Sequence, residues 1–135
     1  EIAAILAAHP EIERVEIEGH ASTLGDANYN VDLTERRAIA VARGLTERGV
    51  AAARLVVIGY GEYCPRVPTA DEVDEPRNRR VELVTAVVGG VWQDVPRGCW
   101  RAQARGINPT TRTPGYFQPI RSQPNQPTVR GAGGA

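Results

Sequence analysis

The chain has no lysine and no methionine, and all 16 of its basic residues are arginine. Aromatic residues are scarce, at 5%, with a single phenylalanine. No apolar run approaches the roughly 18 residues that a membrane-crossing helix needs, so a span of that kind is not expected. The window also holds no basic n-region followed by an apolar core, the pattern of a signal peptide. Acids are missing from the C-terminal stretch: residues 95–135 carry six arginines and no Asp or Glu, a balance of +6. Residues 1–94 carry 16 acids against 10 arginines, a balance of −6. The halves cancel to zero net charge, which argues against a uniformly basic nucleic-acid binder. What is present is one domain's worth of chain, 135 residues, with 41% hydrophobic and 24% charged residues, as in ordinary globular proteins. Glu1 opens inside an apparent helix, which suggests a piece of something longer.

Composition changes near Gly89-Gly90. Six of the ten prolines lie beyond it, and Pro109, Pro114, Pro119 and Pro124 recur every five residues. Three regions are expected: a body over 1–88, a connector over 89–104 carrying Cys99 and two tryptophans, and an extended Pro/Gly/Arg-rich tail over 105–135. The tail has too few apolar side chains to form a core of its own.

The body has clear periods. Ile2, Ile5 and Leu6 sit at helical spacing, and His9-Pro10 stops that helix. Val15 and Ile17 alternate with Glu16 and Glu18, the pattern of a half-buried strand. Residues 19–33 are polar and predict a loop, with Thr34 as the cap of a helix over 34–48. In that helix Ala38, Val41, Ala42 and Leu45 form an apolar stripe, and Gly49 ends it. Leu55–Ile58 predicts a buried strand, 62–78 a long polar loop, and 79–88 a last strand with Val81, Leu83 and Val87 on one face. The order α-β-α-β-loop-β predicts an α+β fold with two helices on one face of a small sheet.

The junction at 19–37 carries the most chemistry. A glycine-bearing loop entering a helix presents free N–H groups and the positive end of a dipole. Arg37, in the first turn of a helix starting at 34, adds a guanidinium that fits a carboxylate bidentately. The pattern points to an anion site. The alternative is that Arg36 and Arg37 simply pair with Glu35, Asp32 or Glu82. His9 and His20 are far apart with no ligand-spaced partners, so no metal site is expected. No catalytic triad order, paired catalytic carboxylates or nucleotide loop stands out, so neither an enzyme nor a cofactor is expected.

Gly19-His20, Gly25, Tyr29-Asn30, Leu33-Thr34 and Arg36-Arg37-Ala38 together resemble the OmpA-like peptidoglycan-binding domain family. Gly59-Tyr60-Gly61-Glu62, Pro65 and Asn78-Arg79-Arg80-Val81-Glu82 extend the resemblance to about residue 88. It implies a two-layer β-α-β-α-β sandwich, here without the strand that normally precedes the first helix. It also implies a periplasmic, outer-membrane-associated anchor that binds the diaminopimelate of peptidoglycan stem peptides. Carried over by motif, the site comprises Ser22, Asn30, Arg37 and Arg79.

The departure from the family lies at Ser22. The family has an aspartate there to take the ligand's ammonium, while the arginine corresponding to Arg37 takes its carboxylate. Ser22 accepts a hydrogen bond but brings no charge. A charge-assisted bond is worth roughly 1.5–3 kcal/mol and a neutral one about 1. The change would therefore cost about 1–2 kcal/mol, or roughly 5- to 30-fold in affinity. Asp26 is a nearby substitute in sequence.

Cys64 and Cys99 are the only cysteines. They are either free thiols or a bridge closing a loop of about 35 residues, and the periplasm implied by the resemblance favours the bridge. In the tail and connector, Trp100, Tyr116, Phe117, Arg112 and Arg121 are candidate contacts for another envelope protein chain. A second reading follows: a structural subunit with a degenerate OmpA-like scaffold and a C-terminal clasp.

Overall fold

The computed structural model describes residues 1–109. Arg112, Tyr116, Phe117 and Arg121 lie outside the described residues, as does most of the expected tail. Helix α1 spans Ile2–Ala8, strand β1 Ile12–His20, helix α2 Ala27–Glu47, and strand β2 Leu55–Gly61. Strand β3 spans Arg80–Val88, β4 Val91–Trp92, and the short helix α3 Trp100–Ala104. The sheet order is β2-β1-β3-β4, with β1 parallel to β2 and antiparallel to β3. A parallel pair needs a crossover, and α2 supplies it. The fold is α+β, as expected.

The main core lies between the helices and one sheet face. Val15 and Ile17 of β1 and Leu55 and Val57 of β2 meet Ala3 and Leu6 of α1 and Ala38, Ala42 and Leu45 of α2. Two glycines let α2 approach the strands at backbone distance. A Cβ on Gly59 would lie 2.4 Å from the Glu35 nitrogen, and one on Gly19 2.2 Å from the Thr34 carbonyl oxygen.

Helix α2 departs from expectation in its start, its cap and the turn that carries Arg37. Helix α2 starts at Ala27, so the loop after β1 covers only residues 21–26. Its cap is Asp26, whose carboxylate accepts the N–H groups of Asn28 and Tyr29 at 2.8 and 3.1 Å. Thr34 is therefore internal and buried; its hydroxyl donates to the Val31 carbonyl and accepts Gly61 N–H at 2.9 Å. Arg37 falls in the third turn, away from the amides and dipole of the helix start. The first two turns carry polar residues such as Asn28, Asn30 and Asp32, and this hides their helical period.

The other correction concerns the opposite sheet face. The alternation of β1 implied that Glu16 and Glu18 face solvent, yet their exposures are 0% and 2%. The connector covers them. It turns at Gly89-Gly90, where both residues have positive φ, adds β4 to the sheet edge, and folds back. Ala102 of α3 then packs with Val56, Ile58, Tyr60 and Cys64, with Ile107 beside them. Cys64 and Cys99 are bonded, with Cα atoms 5.7 Å apart. Arg97 reaches Glu16 at 3.0 Å, and Arg14 donates to the Pro109 carbonyl at 2.9 Å. The sheet is thus covered on both faces, a third layer beyond the expected two. Residues 105–109, expected to begin the extended tail, pack back onto this layer.

Candidate functional site

The loop between β1 and α2 is held from within by one side chain. Asn30, buried on the first turn of α2, donates through its amide to the Leu24 carbonyl at 3.0 Å and the Ser22 carbonyl at 3.5 Å. The same amide donates to the Glu62 carboxylate at 3.3 Å, just beyond β2. A second clasp comes from the long loop before β3. Thr23 donates to the Ala70 carbonyl at 2.8 Å and accepts Val73 N–H at 3.0 Å, and Gly25 N–H donates to Glu72 at 3.3 Å.

Of the residues singled out in the sequence, Ser22 and Asn30 are brought together. Ser22 is almost wholly buried, and its hydroxyl faces the Leu24 N–H at 3.5 Å. Arg37 is exposed, and no ion pair or hydrogen bond joins it to another described residue. It lies two turns beyond Asn30, seven residues on, so both occupy nearly the same helix stripe about 10 Å apart. Its neighbour Arg36 pairs with Asp32 at 3.0 Å and lies over the Tyr29 ring. Arg79 is paired with Asp74 at 2.9 Å on an exposed turn, with no hydrogen bond to Ser22 or Asn30. Arg80 braces the strand end, donating to Glu82 and to the carbonyls of Asn78 and Cys64. Asp26 spends its carboxylate on the helix cap.

Glu62 also reaches this loop and was not singled out in the sequence. The sequence shows it only as part of a Gly-Tyr-Gly-Glu run, 40 positions from Ser22, so their proximity is a product of strand pairing. Glu62 and Asp71 line a small cavity of about 210 Å³ with Thr23, Tyr63 and Arg101. Burial pushes the Glu62 carboxyl above its ordinary value; the Asn30 hydrogen bond opposes this, and the charges of Asp71, Glu72 and Asp26 add to it. The loop therefore sits in a field of four carboxylates. It is suited to a cationic group, with an unpaired guanidinium further along the helix.

Two helices on one face of a mixed sheet, with a helix-capping loop at the strand end, define a small α+β binding domain. A model of the OmpA family matches residues 1–79, and the chain belongs to that family. It is 45% identical over 71 residues to the peptidoglycan-associated lipoprotein of Pseudomonas aeruginosa, covering 53% of this chain and 42% of that protein. It is 43% identical over 68 residues to outer membrane porin F of Pseudomonas fluorescens, covering 50% of this chain and 21% of that one. The chain thus spans less than half of these relatives. The crystal structure of the peptidoglycan-associated lipoprotein from Burkholderia pseudomallei aligns with a TM-score of 0.56 at 34% identity, covering 62% of this chain and 70% of that one. These relatives agree with a periplasmic location associated with the outer membrane. Among the described residues, no helix is long and apolar enough to cross a membrane.

Proposed function

We propose that this domain is a non-covalent peptidoglycan anchor that takes the zwitterionic end of a diaminopimelate side chain between Glu62 and Arg37. Arg37 receives the ligand's carboxylate. The ammonium, which Ser22 cannot neutralise, is received by Glu62, the carboxylate tied to Asn30 beside Ser22. The observation that supports this reading is the Asn30 amide, which joins the Ser22–Leu24 loop to Glu62 through contacts of 3.0–3.5 Å. Asn30 holds the geometry, and Arg79 contributes only to the surrounding charge. The experiment is calorimetric titration with a stem peptide containing diaminopimelate. Glu62→Gln is expected to weaken binding about 5- to 30-fold, the difference between a charge-assisted and a neutral hydrogen bond. Ser22→Asp, which adds a second carboxylate, is expected to restore binding in the Glu62→Gln background. Unchanged affinity in Glu62→Gln would remove that residue from the site.

A further inference from the structure

The cavity on the opposite sheet face holds a second cluster. Glu18 and His20 are two apart on β1, so both point to the face under the connector. The register of β1 with β3 sets Glu82 directly across from Glu18, and Arg80 across from His20. One donor atom from each of Glu18, His20 and Glu82 lies within 4.8 Å of the others. All three side chains line a cavity of about 390 Å³ beside the Cys64–Cys99 bridge.

Two features of this cluster go beyond an acidic patch. Glu18 and His20 are 2% and 3% exposed, yet Glu18 Oε2 and His20 Nδ1 have no hydrogen-bond partner among the described residues. Buried polar atoms are rarely left so. In addition, His20 Nε2 and Glu18 Oε1 are 3.3 Å apart. This is long for a charge-assisted hydrogen bond, which runs to about 2.7–2.9 Å. It would suit Nε2 and Oε1 as ligand atoms, about 3.3 Å apart in a tetrahedral zinc site with bonds of about 2.0–2.1 Å, and the orphaned Nδ1 and Oε2 are the other polar atoms of the same two side chains.

We propose that Glu18, His20 and Glu82 form a site for a divalent transition metal of the zinc class, with a fourth coordination position open to the cavity. Support for the ligands is already in place. The Tyr60 ring stacks on His20 with centroids 5.4 Å apart and fixes its plane. Arg80 and Arg66 both donate to Glu82 Oε2 and orient that carboxylate, as second partners of metal ligands commonly do. Burial pushes Glu82 up, but the Arg80 and Arg66 hydrogen bonds outweigh it and keep the carboxyl below its ordinary value. One imidazole and two carboxylates offer too few oxygens for a hard cation, which wants six to eight. Imidazole with carboxylates suits zinc better.

The test is calorimetric titration of zinc chloride into the EDTA-treated full chain in a non-chelating buffer near neutral pH, with magnesium and calcium as parallel arms. One saturable zinc equivalent is expected, with no comparable heat from magnesium or calcium. Glu82→Gln, at a partly exposed position, should weaken zinc at least 10-fold, whereas His9→Ala should leave it unchanged. Ring-nitrogen NMR of the wild-type chain reads the same site without mutation, and zinc should shift His20 and not His9. No saturable zinc binding, or binding that survives Glu82→Gln with only His9 shifted, would overturn the proposal.

Discussion

Gly59 sits where β2 passes beneath α2, with the Glu35 nitrogen and Val31 carbonyl oxygen 2.4 and 2.6 Å from where a Cβ would be. Both obstacles are backbone, so neither can swing aside. Gly59→Ala should lower unfolding free energy by about 3 kcal/mol or more, at or above the top of the usual overpacking range; urea denaturation checks it. Thr34 works through its hydroxyl, which accepts the Gly61 N–H in the interior. Thr34→Val keeps the shape and removes the acceptor. It should cost about 1–3 kcal/mol, the penalty of one orphaned buried donor. Hydrogen exchange at Gly61 should accelerate along with it. Neither role can be seen in the sequence, where Thr34 looks like a cap and Gly59 like a strand terminator. Each depends on α2 lying against β2, a contact across more than 20 positions.

The helices and strands behind these contacts were legible wherever one face meets an apolar core. Ala38, Ala42 and Leu45 marked α2, and Val15 and Ile17 marked β1, because burial imposes a period there. The start of α2 was hidden, since its first turns rest on Asn30 and a polar loop. The connector was legible in part: the Cys64–Cys99 bridge was expected, but not the packing of α3 on Val56, Ile58 and Tyr60 or the reach of Arg97 to Glu16, which join residues far apart in the chain. That bridge closes a 35-residue separation. Replacing both cysteines by serine should lower stability by about 3–4 kcal/mol in the chain-entropy picture. It should also raise binding of a hydrophobic dye, as α3 loosens from Val56, Ile58 and Tyr60. The turn before β3 carries its own acid sensitivity. Side-chain hydrogen bonds from Arg77, then its backbone N–H, hold the Glu75 carboxyl down to about 2 from 4.5. A depressed carboxyl stabilises the fold above its unfolded value, and the contribution fades as pH falls through the folded one. The stability difference between wild type and Glu75→Gln should therefore be constant above about pH 5.5 and shrink as pH falls toward 2.

At the scale of the whole molecule, two chemistries lie side by side near one end of the sheet. The cavity at Glu62 and the one holding the buried Glu18–His20–Glu82 set are neighbours that share Tyr63, Pro65, Pro68 and Arg101 as lining. Arg37 stands out from its motif alone, whereas Glu62, the carboxylate proposed as its complement, does not, because it reaches the loop only when β2 pairs with β1. Arg37 is an exposed guanidinium with no hydrogen-bond or ion-pair partner among the described residues. A zwitterionic ligand requires a spare cation of this kind together with a carboxylate within its own span. The most direct test of the anchor reading is co-sedimentation with purified peptidoglycan sacculi, comparing the wild-type chain with Arg37→Ala at matched folding by circular dichroism. The account predicts that wild type pellets with sacculi and that Arg37→Ala stays in the supernatant. Equal pelleting of the two, or no pelleting of the wild type, would contradict it.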